Sequence, residues 1–126
     1  MKIIQYILLV CSLCLFDEIG AQNRSIEFRE GNWEQMLKMA KKEKKMIFVD
    51  CYTSWCGPCK MFGPVFEEVS KESNINFVKV DVDKENDIAR RYGVMTIPTV
   101  ILFKNGEEVK RNIGYMSKEE LIDFMK

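Results

Sequence analysis

Two cysteines three residues apart, Cys56 and Cys59, stand within Trp55-Cys56-Gly57-Pro58-Cys59-Lys60. At the start of a helix this spacing puts both side chains on the same side of the first turn, where they can close a small disulfide ring. Such a ring constrains almost no chain, so its stabilising value is slight beside that of a long-loop bridge. A reactive role suits it better. Free N–H groups and the positive helix end stabilise a thiolate at Cys56, and the thiolate is the attacking species. Pro58 sits in the first turn, where its missing N–H costs nothing, and Lys60 adds a positive charge. Cys56, at the exposed helix tip, reads as the nucleophile. Cys59, one turn in and more buried, would resolve the mixed disulfide by attacking Cys56 and releasing the substrate thiol. A lone Cys-x-x-Cys can also be half of a zinc site, but there is no histidine, and the other pair of this spacing, Cys11 and Cys14, lies in the N-terminal segment set apart below, so four ligands are not completed. Neither a metal nor another cofactor is expected.

Asp50 is a second chemical candidate. It interrupts an apolar run from Met46 to Tyr52, six residues before Cys56. A carboxylate is costly to bury ionised, so burial raises its pKa and suits it to proton transfer with a thiol near neutral pH. Cys51 follows it and points to the opposite face of the strand, away from Cys59. It reads as a small buried hydrophobe, with a third redox thiol as the sharper alternative. The chain has no histidine, which removes histidine catalysis and a histidine pH switch. Its formal net charge is zero, so nothing pulls it toward nucleic acid or an anionic membrane.

These residues need a scaffold, and 126 residues suffice for one domain. The first 21 residues are set apart from it. Lys2 leads an apolar stretch from Ile3 to Phe16, and Ile19-Gly20-Ala21 supplies small residues ahead of Gln22. That is the layout of a secretory signal peptide cleaved after Ala21, with an uncleaved anchor as the rival. Cys11 and Cys14 leave with it. Export would put Cys51, Cys56 and Cys59 in an oxidising compartment. Residues 22–126 then form the domain. Ser25–Phe28 could open it as a short strand. Trp33, Met36, Leu37 and Ala40 recur at helical spacing and predict a helix over Asn32–Lys44, capped by Asn32, with a solvated lysine run at its end. Met46–Tyr52 predicts a strand buried on both faces. Cys56–Ser73 predicts a helix kinked at Pro64. Phe77–Val82 predicts a strand, and Lys84–Arg91 a short helix ended by Gly93. Asn105-Gly106 joins strands Val100–Lys104 and Glu107–Ile113 as a hairpin. Ser117 and Glu120 form a capping box ahead of a last helix. The β-α-β-α-β-α-β-β-α order implies an α/β fold with parallel strands, crossover helices and an antiparallel edge.

The sequence resembles thioredoxin from about Ile26 to Lys126. The resemblance is carried by Val49-Asp50, Trp55-Cys56-Gly57-Pro58-Cys59-Lys60, Pro64, Thr96-Ile97-Pro98-Thr99, Phe103-Lys104-Asn105-Gly106 and Gly114. It implies a three-layer sandwich, a central mixed five-stranded sheet flanked by four helices. It implies that Pro98 is a cis-proline facing the cysteines. The backbone at Ile97 would then hold a substrate chain by β-type hydrogen bonds. Gly93 and Gly114 match loop glycines beside the substrate groove, and Trp55 shields the disulfide. Trp55, Gly57, Pro58, Ile97, Pro98 and Gly114 thus become the expected substrate-binding residues. Asp50 matches a proton relay beneath the second cysteine, and Lys79 the lysine that modulates it. Cys51 and Tyr52 depart from the usual pattern, standing where the family commonly has larger apolar or tryptophan side chains.

The implied activity is reduction or exchange of disulfides in exported proteins by a monomer in a bacterial periplasm. A membrane thiol or electron donor would resupply it, and after cleavage it would have no stable membrane insertion. Gly57-Pro58 resembles the reducing end of the family, near about −270 mV. Two alternatives stand beside this: a disulfide oxidase or isomerase, and a non-catalytic binding or assembly module on the same fold.

Overall fold

Alternating apolar residues in the second strand decide the architecture. Ile47, Val49 and Cys51 point to one side, and Phe48 and Asp50 to the other; all five are buried. A strand apolar on both faces needs a covering layer on each. The computed structural model describes Ser25–Glu27, by backbone, and residues 33–126. Within them the elements are β1 (Ser25–Glu27), α1 (Trp33–Glu43), β2 (Ile47–Tyr52), α2 (Gly57–Glu72), β3 (Asn76–Asp81), α3 (Asn86–Arg91), β4 (Thr99–Lys104), β5 (Glu107–Ile113) and α4 (Lys118–Phe124). The expected cleavage point after Ala21 and the Asn32 cap lie outside the described residues.

The five strands form one mixed sheet in the order β1-β3-β2-β4-β5. β3 runs parallel to β1 and β2, whereas β4 is antiparallel to β2 and β5. On one face Trp33, Leu37 and Ala40 of α1 and Ile88 of α3 pack on Ile47, Val49, Cys51, Val78, Val80, Ile101 and Phe103. On the other, Phe62, Phe66 and Val69 of α2 and Leu121 of α4 pack on Phe48, Phe77, Val100 and Leu102. The three-layer α/β sandwich with five strands and four helices is therefore present among the described residues.

Local signals set several boundaries. Asn105 and Gly106 have φ of 55° and 81°, both in the left-handed region that the two-residue hairpin requires. The Ser117–Glu120 capping box is closed in both directions. α2 continues through Pro64 without a break in its span. α3 starts at Asn86, two residues later than the spacing predicts. Asp81 takes the intervening backbone into a turn: its side chain accepts from Asp83 N at 3.0 Å and its carbonyl from Glu85 N at 2.8 Å. Such side-chain turns compete directly with helix initiation.

Candidate active site

β2 delivers the chain to the Thr53-Ser54-Trp55 turn, and α2 leaves it. Cys56 is the N-cap of α2, with extended backbone (φ −76°, ψ 119°). Its Sγ accepts the backbone N–H of Cys59 at 3.2 Å, and its carbonyl accepts from Lys60 N at 3.1 Å. A donor aimed at the sulfur in the first turn is what stabilises a thiolate once the bridge opens. Cys56 and Cys59 are joined by a disulfide, with Cα atoms 5.2 Å apart.

The segment before β4 faces this turn. The Ile97–Pro98 peptide is cis, and the Ile97 carbonyl oxygen lies 4.0 Å from Cys56 Sγ. Gly114 N–H donates to the Pro98 carbonyl at 2.8 Å. Gly114 has a φ of 103°, a conformation that side-chain-bearing residues rarely adopt. Cys56, Ile97, Pro98 and Gly114 are thereby brought together, with Gly57 and Pro58 exposed beside them. Trp55 is 68% exposed, and its indole N–H donates to Asp83 Oδ2 at 2.7 Å.

One expectation is corrected. Cys56 is not an exposed tip beside a buried Cys59: the two are 6% and 5% exposed. The disulfide ties both sulfurs into the same turn, and Ile97 closes over the first. What separates them is their surroundings. Cys56 holds the helix cap and the Ile97 carbonyl. Cys59 instead lines a cavity of about 220 Å³ with Tyr52, Thr53, Gly63, Glu67 and Lys79.

Asp50 is 1% exposed, and neither carboxyl oxygen has a hydrogen-bond partner. Burial pushes its pKa up to about 7, against the pull of Lys79 and with a smaller push from Glu67. Lys79 sits opposite Asp50 in the β2–β3 register. Its ammonium lies 3.3 Å from Glu67 Oε1 and 4.8 Å from the centre of the Tyr52 ring. Cys51 is buried among the side chains of the opposite face. Burial, then the neighbouring Asp50, pushes its thiol up to about 12. Among the described residues, no group of three or more Cys, Asp or Glu side chains is arranged to hold a metal ion.

Three site residues escaped the sequence reading: Glu67, Asp83 and Thr53, whose buried hydroxyl has no hydrogen-bond partner. Glu67 and Lys79 are 12 positions apart, and Trp55 and Asp83 are 28 apart. No local spacing rule pairs them.

The family model described as thioredoxin matches residues 24–126. The chain belongs to the thioredoxin family. Thioredoxin from Mycoplasmoides gallisepticum is 45% identical over 94 residues, covering 74% of this chain and 90% of that protein. Thioredoxin from Bacillus subtilis is 42% identical over 88 residues, covering 68% and 85%. Among solved structures, thioredoxin NaTrxh from Nicotiana alata superposes with a TM-score of 0.75 at 40% identity, covering 80% of this chain and 89% of that one. Schistosoma mansoni thioredoxin gives 0.72 at 41% identity, covering 79% and 90%. With the Cys56–Cys59 pair in place, the chain is a thiol–disulfide oxidoreductase of the thioredoxin family, a disulfide reductase that acts on disulfide-containing proteins.

Proposed function

We propose that the protein reduces disulfides in exported proteins, with Cys56 attacking, Cys59 resolving and Asp50 moving the proton. The observation that carries the division of labour is the placement of Cys56 Sγ, at the α2 cap and 4.0 Å from the Ile97 carbonyl. In the dithiol form the Cys56 thiolate attacks one sulfur of the substrate disulfide. A mixed disulfide forms and the other substrate sulfur leaves as thiolate. Cys59 then gives its proton to the Asp50 carboxylate and attacks Cys56 Sγ. The second substrate sulfur departs, and the Cys56–Cys59 bridge remains. A buried carboxyl with a pKa of about 7 can take up that proton and release it again at neutral pH. Lys79 modulates it from the neighbouring strand.

The backbone of Ile97, before Pro98, would pair with an extended substrate segment. Trp55, Met95 and Tyr115 are exposed apolar side chains flanking Cys56, Ile97 and Gly114 in sequence. They suit contact with a protein surface. The lysine-led apolar run Ile3–Phe16 and the small residues before Gln22 support export and a bacterial periplasm. Each turnover leaves the protein oxidised. Export therefore calls for a membrane-borne thiol donor to return two electrons and two protons.

A Cys59→Ser variant cannot resolve the mixed disulfide, so it should accumulate covalent complexes with its clients. Exported proteins among them, and a mature N-terminus at Gln22, are the expected result. Only cytoplasmic clients on a protein that keeps Met1 would overturn the export reading. A Cys56–Cys59 couple near about −270 mV supports reduction, whereas one near about −120 mV would make the protein an oxidant.

A further inference from the structure

Asp50 and Lys79 occupy opposed positions on adjacent parallel strands. Left to itself, a flexible ammonium next to a desolvated carboxylate would close an ion pair on it. That does not occur here. Both Asp50 oxygens are without a hydrogen-bond partner, and the Lys79 ammonium is drawn to Glu67 at 3.3 Å. The surroundings accommodate that displaced position. The Tyr52 ring lies 4.8 Å from the ammonium. Gly63 of α2 lies beside it, where a Cβ would stand at an ordinary contact distance of 3.5 Å from Nζ. Glu67 lies eight residues beyond Cys59 on α2, about two helical turns. The helix carrying the resolving cysteine thus also carries the group that holds the lysine.

We propose that Glu67 is a positioning residue for the dithiol reaction, holding the Lys79 ammonium at the cavity rim so that it does not close on Asp50. This rests on the reading of Asp50 as the proton relay for Cys59. The titratable groups lining the cavity on the Asp50 side of the sheet are Tyr52 from β2, Lys79 from β3, and Cys59, Lys60 and Glu67 from α2. Lys118 of α4, which packs on the same face, is paired with Glu68 and Glu72 of α2, and β4 presents uncharged Val100 in register. Arg111 and Glu108 act instead on Cys51, on the opposite face. Of the cations facing Asp50, Lys79 is its register neighbour, and Glu67 is the carboxylate bound to it. Glu67 therefore acts twice in one direction. It withholds a positive charge from Asp50 and adds a negative one, and both keep the carboxyl protonatable near neutrality.

The test is a carbon-detected titration of the Asp50 carboxyl, run beside the pH profile of mixed-disulfide resolution. Wild type, Glu67→Gln, Lys79→Met, the Glu67→Gln/Lys79→Met pair and Asp50→Asn are compared. Glu67 is half-exposed and glutamine keeps its shape, so the variant folds. Its Asp50 midpoint should fall by roughly one pH unit, and the resolution profile should move with it. In the Lys79→Met background the same substitution should shift the midpoint by less than half as much. An unmoved midpoint, or equal shifts in both backgrounds, overturns the positioning role. If Asp50→Asn leaves the resolution profile unchanged, the relay reading fails instead, whatever Glu67 does to the carboxyl.

Discussion

The backbone N–H of Cys59 points at Cys56 Sγ from 3.2 Å, across the first turn of α2. The donor belongs to a rigid helix, so it stays aimed at the sulfur when the bridge is reduced. Negative charge on Cys56 is then met by an oriented dipole that needs no reorganisation. Cys51 has the reverse environment, buried at 1% exposure with its thiol pushed up to about 12. In the reduced protein at pH 7, Cys56 should react with iodoacetamide roughly tenfold faster than a thiol in a disordered peptide. Cys51 should stay unmodified until the protein is unfolded. Peptide mapping by mass spectrometry after timed quenching checks both. A Cys56 rate no greater than the peptide's would remove the basis for its role as nucleophile.

Asp50 makes the fold less stable as pH rises. Its carboxyl titrates near 3.8 when exposed and at about 7 in the fold. Between these values the unfolded chain is ionised while the native state keeps the proton. The native state therefore binds more protons, and stability falls with increasing pH. The loss begins near pH 4, is complete above about 7, and amounts to roughly 4 kcal/mol at most. An Asp50→Asn variant has nothing to titrate at this position. Its advantage in urea denaturation should be absent at pH 3, grow through pH 4–7 and then level off. Parallel stability curves for the two proteins would show that burial does not hold the proton on Asp50.

Local chemistry was legible wherever neighbours in sequence are neighbours in space. Asn105-Gly106 marked the hairpin, Ser117 with Glu120 marked the start of α4, and an acid inside an apolar run marked Asp50 as buried. The alternation Ile47, Val49, Cys51 against Phe48 and Asp50 even told which face the third thiol would take. The missing parts all depend on how layers dock. Glu67 meets Lys79 only because α2 lies over β3, and Asp83 reaches Trp55 only because the turn after β3 lies beside the turn after β2. The burial of Cys56 depends on Ile97, 41 residues away. Periodicity and spacing carry no information at those separations.

Gly63 lies inside α2, where glycine is a poor helix former, yet it is not there to avoid a backbone clash. A Cβ would meet just the far end of the Lys79 side chain, at an ordinary contact distance of 3.5 Å. Gly63→Ala should therefore stabilise the fold by about 0.5–1 kcal/mol, the usual glycine-to-alanine difference within a helix. Thermal melting would show a rise of a few degrees. A lower melting temperature would mean that the lysine cannot yield, and that the room left by Gly63 is a requirement of the site.

Trp55 presents a different balance, because it is exposed and still held. Its indole N–H bonds to Asp83 Oδ2 at 2.7 Å while 68% of the residue faces solvent. An exposed bond of this kind adds little stability, so Asp83→Ala should change the unfolding free energy by no more than about 0.5 kcal/mol. Its effect belongs to docking. A free indole must be ordered when substrate arrives, which costs about 0.5–1.5 kcal/mol for one side chain. KM for a protein disulfide should rise roughly two- to tenfold with kcat unchanged. A small aromatic disulfide, which needs no docking surface, should be reduced at the wild-type rate. Asp83→Asn keeps an acceptor oxygen and should recover most of the loss. Equal losses for small and protein disulfides would instead place Asp83 in the chemistry of the cysteines, since an effect on docking alone cannot slow a substrate that does not dock.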